Sequence, residues 1–298
     1  MIPAPRDSGF TSTTDVPLYY AIYGPANSAR VLVLHGGPGA HHDYLLPQLL
    51  QLADTRELVF YDQRGGGKSK TDDRAPITWR THVADLDRVV EELALEPLDI
   101  IGYSWGGLLA MLYAIEAAAG RTTHRPTRLV LIDPAPVNRV LRDTFEREFS
   151  RRNTDADVAR LRAELAASGL RERDPDAYRQ RAFELSVAGY FADPSAAHGL
   201  TPFRVTGRVQ QSVWDSLGDF DLLAPGQLDS VTVPTLILHG RQDPIPVESS
   251  EAAARTMKAA ELVRIDGAGH VPYVERPDAL FPPIRHFLDS TRISPVAG

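Results

Sequence analysis

Gly102-Tyr103-Ser104-Trp105-Gly106 sets a serine between glycines two residues to either side, after an apolar run at 98–101 and before a helical pattern starting near Trp105. A strand, a tight turn and a helix in that order project the hydroxyl from the end of a sheet at a helix N-terminus, where it can serve as a nucleophile. A serine hydroxyl is weak at neutral pH and needs a histidine base, itself oriented by a carboxylate. Both follow in the chain. Asp243 closes His239-Gly240-Arg241-Gln242-Asp243 after an apolar run at 235–238, and His270 closes Gly267-Ala268-Gly269-His270 after a run at 261–265. The candidate triad is Ser104 as nucleophile, His270 as general base and Asp243 as the orienting acid. Asp133, at the end of the run 128–132, is the competing acid. His82, His124, His198 and His286 fit no motif and read as surface or packing residues.

Acyl transfer also needs donors aimed at a developing oxyanion. His35-Gly36-Gly37-Pro38-Gly39 follows the run 31–34 and exposes backbone N–H groups, so the hole is assigned to the amides of Gly37 and Trp105, with Gly36 as the neighbouring alternative to Gly37. Two other chemistries fail on spacing. Asp62-Gln63-Arg64-Gly65-Gly66-Gly67-Lys68-Ser69 ends like a phosphate-binding loop, yet the first glycine of G-x-x-x-x-G-K-S would fall at Asp62. His41-His42-Asp43 has no further ligand motif near it and reads as a loop lining a pocket entrance, so no metal and no cofactor is expected. The chain holds no cysteine, which removes disulfides, thiolate catalysis and cysteine-ligated metal centres.

The elements that must position these residues are short apolar runs at 31–34, 57–61, 98–101, 128–132, 235–238 and 261–265, alternating with helical patterns at 79–95, 105–119, 248–259 and 277–288. Continuous apolar runs of this length suit strands covered on both faces, and their alternation with helices predicts a doubly wound, mostly parallel α/β sheet. Residues 14–23 add a strand or two at one edge, and 1–14 read as a polar, Pro- and Gly-broken segment with no secretory signal. Between 132 and 235 the alternation stops. That stretch, dense in Arg, Glu, Asp and Ala at helical spacing, is far longer than a crossover needs. It predicts an inserted helical cap over 137–223, with a core domain formed by 1–136 and 224–298. Asp174-Pro175, Asp193-Pro194 and Thr201-Pro202 supply turn and helix-start signals within it, and residues after Thr291 read as a loose tail.

At 298 residues, 43% hydrophobic and 24% charged, the composition is that of a soluble globular protein. A formal charge of −7 with scattered Lys and Arg argues against nucleic acid as a partner. No stretch reaches the ~20 apolar residues of a membrane span. A cytoplasmic location is expected.

Three segments taken together, His35-Gly36-Gly37-Pro38-Gly39, Asp62-Gln63-Arg64-Gly65 and Gly102-Tyr103-Ser104-Trp105-Gly106-Gly107, resemble the proline iminopeptidase family of α/β-hydrolases. The chain order serine, aspartate, histidine is also that of the α/β-hydrolase fold. The resemblance covers about 16–136 and returns over 231–288, with the cap similar only in position and helical character. It implies a serine hydrolase that releases N-terminal proline, or another small apolar residue, from short peptides or small amides. It further implies an acidic cap residue for the free α-amino group, for which Glu184 is the candidate. Tyr190, Phe191 and Trp214, with Trp105 and Phe203, are candidates for an apolar slot around a pyrrolidine ring. Two alternatives stand beside this reading: an esterase or amidase without a free-amine requirement, and a non-catalytic ligand receptor on a hydrolase scaffold. An epoxide hydrolase or dehalogenase is disfavoured, because those carry aspartate where Ser104 stands.

Overall fold

Strand β1 (Asp7–Phe10) pairs antiparallel with β2 (Tyr19–Tyr23) in a computed structural model that describes residues 2–72 and 74–290. The tail expected after Thr291 lies outside the described residues. β1 falls within the polar, Pro- and Gly-broken segment 1–14, where no strand was expected. Its largely exposed residues, Asp7-Ser8-Gly9-Phe10, carry no apolar alternation, and the strand exists because its backbone completes the sheet edge.

The apolar runs all form strands, each a residue or two longer than expected: β3 (Ala29–Leu34), β4 (Arg56–Tyr61), β5 (Leu98–Tyr103), β6 (Pro126–Ile132), β7 (Thr235–Gly240) and β8 (Ala260–Ile265). Around them lie α1 (Trp79–Glu92), α2 (Trp105–Ala118), then α3 (Arg139–Asn153), α4 (Ala156–Ala167), α5 (Leu170–Arg173), α6 (Pro175–Val187) and α7 (Gly207–Leu217), and finally α8 (Val247–Thr256), α9 (Pro272–Glu275) and α10 (Pro277–Asp289). Helix α1 stops short of residue 95, since Ala94 turns into left-handed backbone at φ 50°. Its start is set by a capping box in which Thr78 and Thr81 satisfy each other's backbone N–H.

Among the described residues the sheet has eight strands in the order β1-β2-β4-β3-β5-β6-β7-β8. From β4 to β8 every neighbouring pair is parallel, while β2 is antiparallel to both its neighbours. Alternate side chains feed two apolar layers. Leu32, Leu34, Ile100, Leu129, Leu131 and Ile237 pack with α1 and α2 on one face; Val31, Val33, Ile101, Val130, Leu236 and Leu238 pack with α10 on the other. Because β3, β5, β6, β7 and β8 run the same way, the loops leaving their C-terminal ends open along one edge, where ligands bind in such sheets.

The chain between β6 and β7 forms the inserted helical cap region, α3 to α7. Asn138, Asp155 and Asp174 cap α3, α4 and α6 with their side chains, Pro175 standing at the first turn of α6. Thr201-Pro202 starts no helix; the Thr201 hydroxyl donates to the Leu46 carbonyl instead. The two ends of the insertion are laced together, Leu222 N–H to the Val137 carbonyl at 2.9 Å and Arg139 N–H to the Phe220 carbonyl at 3.1 Å. Among the described residues no helix is long and apolar enough to cross a membrane.

The join of β5 to α2 leaves no room for side chains at its glycines. A Cβ on Gly102 would lie 2.4 Å from the Gly106 carbonyl oxygen, and one on Gly106 would lie 2.2 Å from that of Leu34. Both contacts are to backbone, which cannot yield. Gly106→Ala is therefore expected to destabilise the protein by about 1–3 kcal/mol or more, read as a lowered midpoint in thermal or urea unfolding.

Candidate active site

Ser104 sits between β5 and α2 at φ 54°, ψ −120°, a conformation that L side chains rarely adopt. Its N–H donates to the Ile132 carbonyl at 3.0 Å, and its carbonyl accepts from Gly107 at 2.9 Å and Ala135 at 2.9 Å. The turn is thereby tied to α2 and to the segment following β6. Across the sheet, the loop after β8 brings His270 Nε2 to 3.0 Å from Ser104 Oγ, and the loop after β7 brings Asp243 Oδ2 to 2.8 Å from His270 Nδ1. Asp243 Oδ1 accepts from the Ile245 N–H at 2.7 Å. Burial pushes the His270 imidazole down to about 4. At neutral pH it is therefore uncharged, with Nδ1–H toward the acid and a lone pair on Nε2 for the serine proton. This is a Ser-His-Asp arrangement with base and nucleophile already within hydrogen-bond reach.

Asp133, the competing acid, lies in the same place. It ends β6, is fully buried, and its Oδ1 accepts from the Gly240 N–H at 2.7 Å. His270 Nδ1 meets Asp243.

The glycine loop after β3 lies against the nucleophile: a Cβ on Gly36 would come within 3.0 Å of Ser104 Cβ. The Gly36 N–H is already given to Tyr44 Oη at 2.6 Å. Trp105, as the first residue of α2, has an amide with no acceptor inside its helix. Gln63 joins the two segments: its Nε2 donates to the His35 carbonyl at 2.8 Å and its Oε1 accepts from the Trp105 indole at 2.7 Å. Arg64 next to it forms a buried bidentate pair with Asp85, 2.8 and 2.6 Å. The motif Asp62-Gln63-Arg64-Gly65 thus works as scaffold for the site. Asp62 itself takes the His42 N–H at 3.0 Å and ring at 2.7 Å, so His42 is a buried strut and lines no entrance.

The cap meets the base directly. Tyr190 stacks on the His270 ring, centroids 5.0 Å apart, and its carbonyl accepts the His270 N–H at 2.6 Å. Trp214 packs edge-on to the buried Trp105 at 5.5 Å, with the Arg142 guanidinium 3.9 Å over the Trp214 ring. Phe203 packs tilted against Tyr44 at 4.4 Å. Phe191 is buried in the apolar layer beneath. Glu184 faces a cavity of about 220 Å³ between α4, α6 and the turn at Pro194–Gly199; its lining includes neither Ser104 nor His270. There its carboxylate is held by Arg181 at 2.8 Å and Gln180 at 3.1 Å.

Sequence reasoning did not pick out Glu275, whose carboxylate accepts from Gly269 at 2.7 Å and from Ala192 and Asp193 at 2.8 and 3.0 Å. Nor did it assign tasks to Gln63 or Tyr44. Gln63 stood inside a recognised motif, whereas nothing near Glu275 in the chain marks it.

This constellation on this fold defines a serine hydrolase. The sequence matches the Alpha/beta hydrolase family over residues 31–282, and the chain belongs to that family. Within it the chain is related to the proline iminopeptidases. It is 27% identical over 288 residues to the proline iminopeptidase of Lactobacillus helveticus (strain DPC 4571), spanning 91% of this chain and 94% of that protein. It is 25% identical over 304 residues to that of Saccharolobus solfataricus, spanning 95% and 92%. The crystal structure of proline iminopeptidase from Mycobacterium smegmatis shares the fold, with a TM-score of 0.68 at 22% identity over 95% of this chain and 97% of that one.

Ser104→Ala should reduce turnover by about 10⁴-fold or more while leaving the melting temperature within a few degrees, measured by steady-state kinetics and thermal melts. A second expectation concerns acid. Burial lowers His35, His82, His239 and His270 alike to about 4, so between the ordinary 6.5 and 4 the unfolded chain binds up to four protons that the native state refuses. Stability then falls as pH falls through that window. The raised Asp85 and Glu275 and the raised Asp133–Asp243 pair act in the opposite sense, and they are outnumbered by the buried imidazoles, to which the lowered His41 adds. Melting temperatures recorded from about pH 7 to pH 4 should decline steadily.

Proposed function

We propose that the protein is an aminopeptidase that releases N-terminal proline, or another small apolar residue, from short peptides and amides. The observation that carries this reading is the likeness to proline iminopeptidases along nearly the whole chain, cap included. In the proposed reaction Ser104 Oγ attacks the carbonyl carbon while its proton passes to His270 Nε2. The amides of Gly37 and Trp105 receive the oxyanion; Gly36 is the weaker choice because Tyr44 already holds its N–H. The C–N bond then breaks as His270 returns the proton to the leaving amine. Water, deprotonated by His270, hydrolyses the acyl-serine ester, and the serine regains its proton.

The cap residues take the remaining roles in this proposal, with 137–223 as the cap domain on a core of 1–136 and 224–298. Tyr190 and Trp214, flanking His270 and Trp105, border the slot for the side chain; Phe191 supports it from below. Glu184 receives the substrate ammonium in exchange for its Arg181 pair. A cysteine-free chain suits action in a reducing cytoplasm.

One observation favours a second reading, an esterase or amidase that needs no free amine. The Glu184 charge is already matched by Arg181, in a cavity whose lining omits the nucleophile. Rates of arylamine release from an unblocked and an N-acetylated proline arylamide, beside hydrolysis of a short acyl ester, separate the two. The aminopeptidase reading expects the free amine to be preferred in kcat/KM by about 100-fold or more, the scale of losing a charge-assisted contact to a buried group. Equal rates on both arylamides, or ester cleavage alone, would replace it with the second reading.

A further inference from the structure

Asp133 has no task in the chemistry above, yet it occupies the crown of β6, the strand between those that deliver Ser104 and Asp243. Its backbone stands at φ 41°, a strained position for a residue with a side chain, and the residue is fully buried. Oδ1 accepts from the Gly240 N–H at 2.7 Å. Oδ2 is buried and, among the described residues, has no hydrogen-bond partner. Facing it are Asp243 and His239: one ligand-type atom from each of the three residues lies within 4.8 Å of the others.

Two like charges cannot both persist at such a distance away from water. A metal ion would relieve them, but His239 has no lone pair to give. Its Nε2 lies 3.0 Å from the Ile245 carbonyl, which only accepts, so Nε2 carries the proton; Nδ1 then accepts from the Ser250 hydroxyl at 2.8 Å. A proton shared by the carboxyl pair relieves them without any ligand. Asp243 is the better anion, since it takes N–H groups from both Ile245 and His270, whereas Asp133 takes one. The proton therefore belongs on Asp133.

We infer that Asp133 is a positioning residue: a carboxylic acid whose Oδ2–H donates to the Asp243 carboxylate and so holds that carboxylate against His270 Nδ1. It acts through Asp243 and touches no reacting atom. The inference rests on the Ser-His-Asp arrangement and is independent of whether the substrate is a peptide, an amide or an ester. Burial, and next the charge of Asp243, press the Asp133 carboxyl well above the usual carboxylate range, in agreement with the geometry. The groups facing the pair leave that proton in place. His239 after β7 and His270 after β8 are both lowered to about 4 by burial, and Tyr103 of β5 and Tyr273 of α9 are raised by burial, so all four are neutral. Arg152 of α3 and Glu275 of α9 act on Asp243 with opposite sign.

Asparagine reproduces both contacts, an Oδ1 for Gly240 and an Nδ2–H for Asp243, without a titrating proton; alanine reproduces neither. Asp133→Asn and Asp133→Ala are compared with the parent protein by the rate at which a fluorophosphonate probe modifies Ser104, by kcat and KM on an activated acyl ester, and by melting temperature between about pH 5 and 8. Expected is labelling within about threefold of the parent for asparagine, and a loss of about tenfold or more in labelling and kcat, with KM little changed, for alanine. The sign of the pH effect follows from linkage. The unfolded carboxyl ionises near 3.8 while the native one keeps its proton, so this residue withdraws stability as pH rises above that value up to its native pKa. Asparagine removes that penalty, and the melting temperature of Asp133→Asn minus that of the parent should grow from pH 5 to pH 8. Asparagine as slow as alanine would mean that an anion is required at 133 and would overturn the inference. A pH-independent difference in melting temperature would do the same, as would parental rates in the alanine variant. Should the alanine variant not fold, the labelling rate and pH-resolved melting of the asparagine variant still decide it.

Discussion

The geometry of the site depends on how closely the backbone of β3 approaches the turn that carries Ser104. Gly106 packs onto the Leu34 carbonyl and Gly102 onto Gly106 with no room for a Cβ, and the serine between them is held in backbone it would not choose by itself. That strain is balanced by the hydrogen bonds of Ser104 N–H to Ile132 and of its carbonyl to Gly107 and Ala135. Since β3 also leads into the glycine loop, nucleophile and candidate oxyanion donors are placed by a single contact. Gln63 reinforces it by bonding one segment with each end of its amide. A rigid, prepaid arrangement of dipoles is what electrostatic stabilisation of an oxyanion requires.

Dryness is the second determinant. His270 is only 4% exposed and its ring lies between Tyr103 and Tyr190, so its charge-neutral form is imposed by burial. The same burial would make an isolated Asp243 costly. It is made tolerable by the Ile245 amide, the imidazole and, on the inference drawn above, the proton of Asp133. The site thus keeps one negative charge in a low-dielectric place where an imidazolium forms during each acyl transfer.

The sheet and the triad were legible in the sequence because each rests on a local pattern. Apolar runs flanked by glycine or aspartate can only be buried strands in this setting, and Ser104, Asp243 and His270 each follow such a run directly. Parallel strands then bring loops far apart in the chain to one edge. β1 was not legible, since an exposed edge strand without apolar alternation is defined by its partner and not by its own side chains. The cap was visible as an insertion, but its contacts were not: the pairing of Glu184 with Arg181 is a three-residue step along α6 that competes with any role toward a ligand. Asp133 was read as a rival to Asp243 because sequence order allows either acid. Only the position of β6 between β5 and β7 places both carboxyls together.

Glu275 gives the molecule a constraint of a different kind. One of its oxygens holds the amide of Gly269, beside the base, and the other holds the amides of Ala192 and Asp193 in the cap; a Cβ on Gly269 would strike the Tyr190 carbonyl at 2.2 Å. Cap and base loop are therefore one interlocked part, although some eighty residues separate them in the chain. For anyone recombining caps among related hydrolases, the unit of exchange is not the insertion alone. A transplanted cap arrives with its own version of the 190–193 strap, and it will seat the imidazole only if the recipient supplies the glycine before the histidine and the glutamate that clasps both.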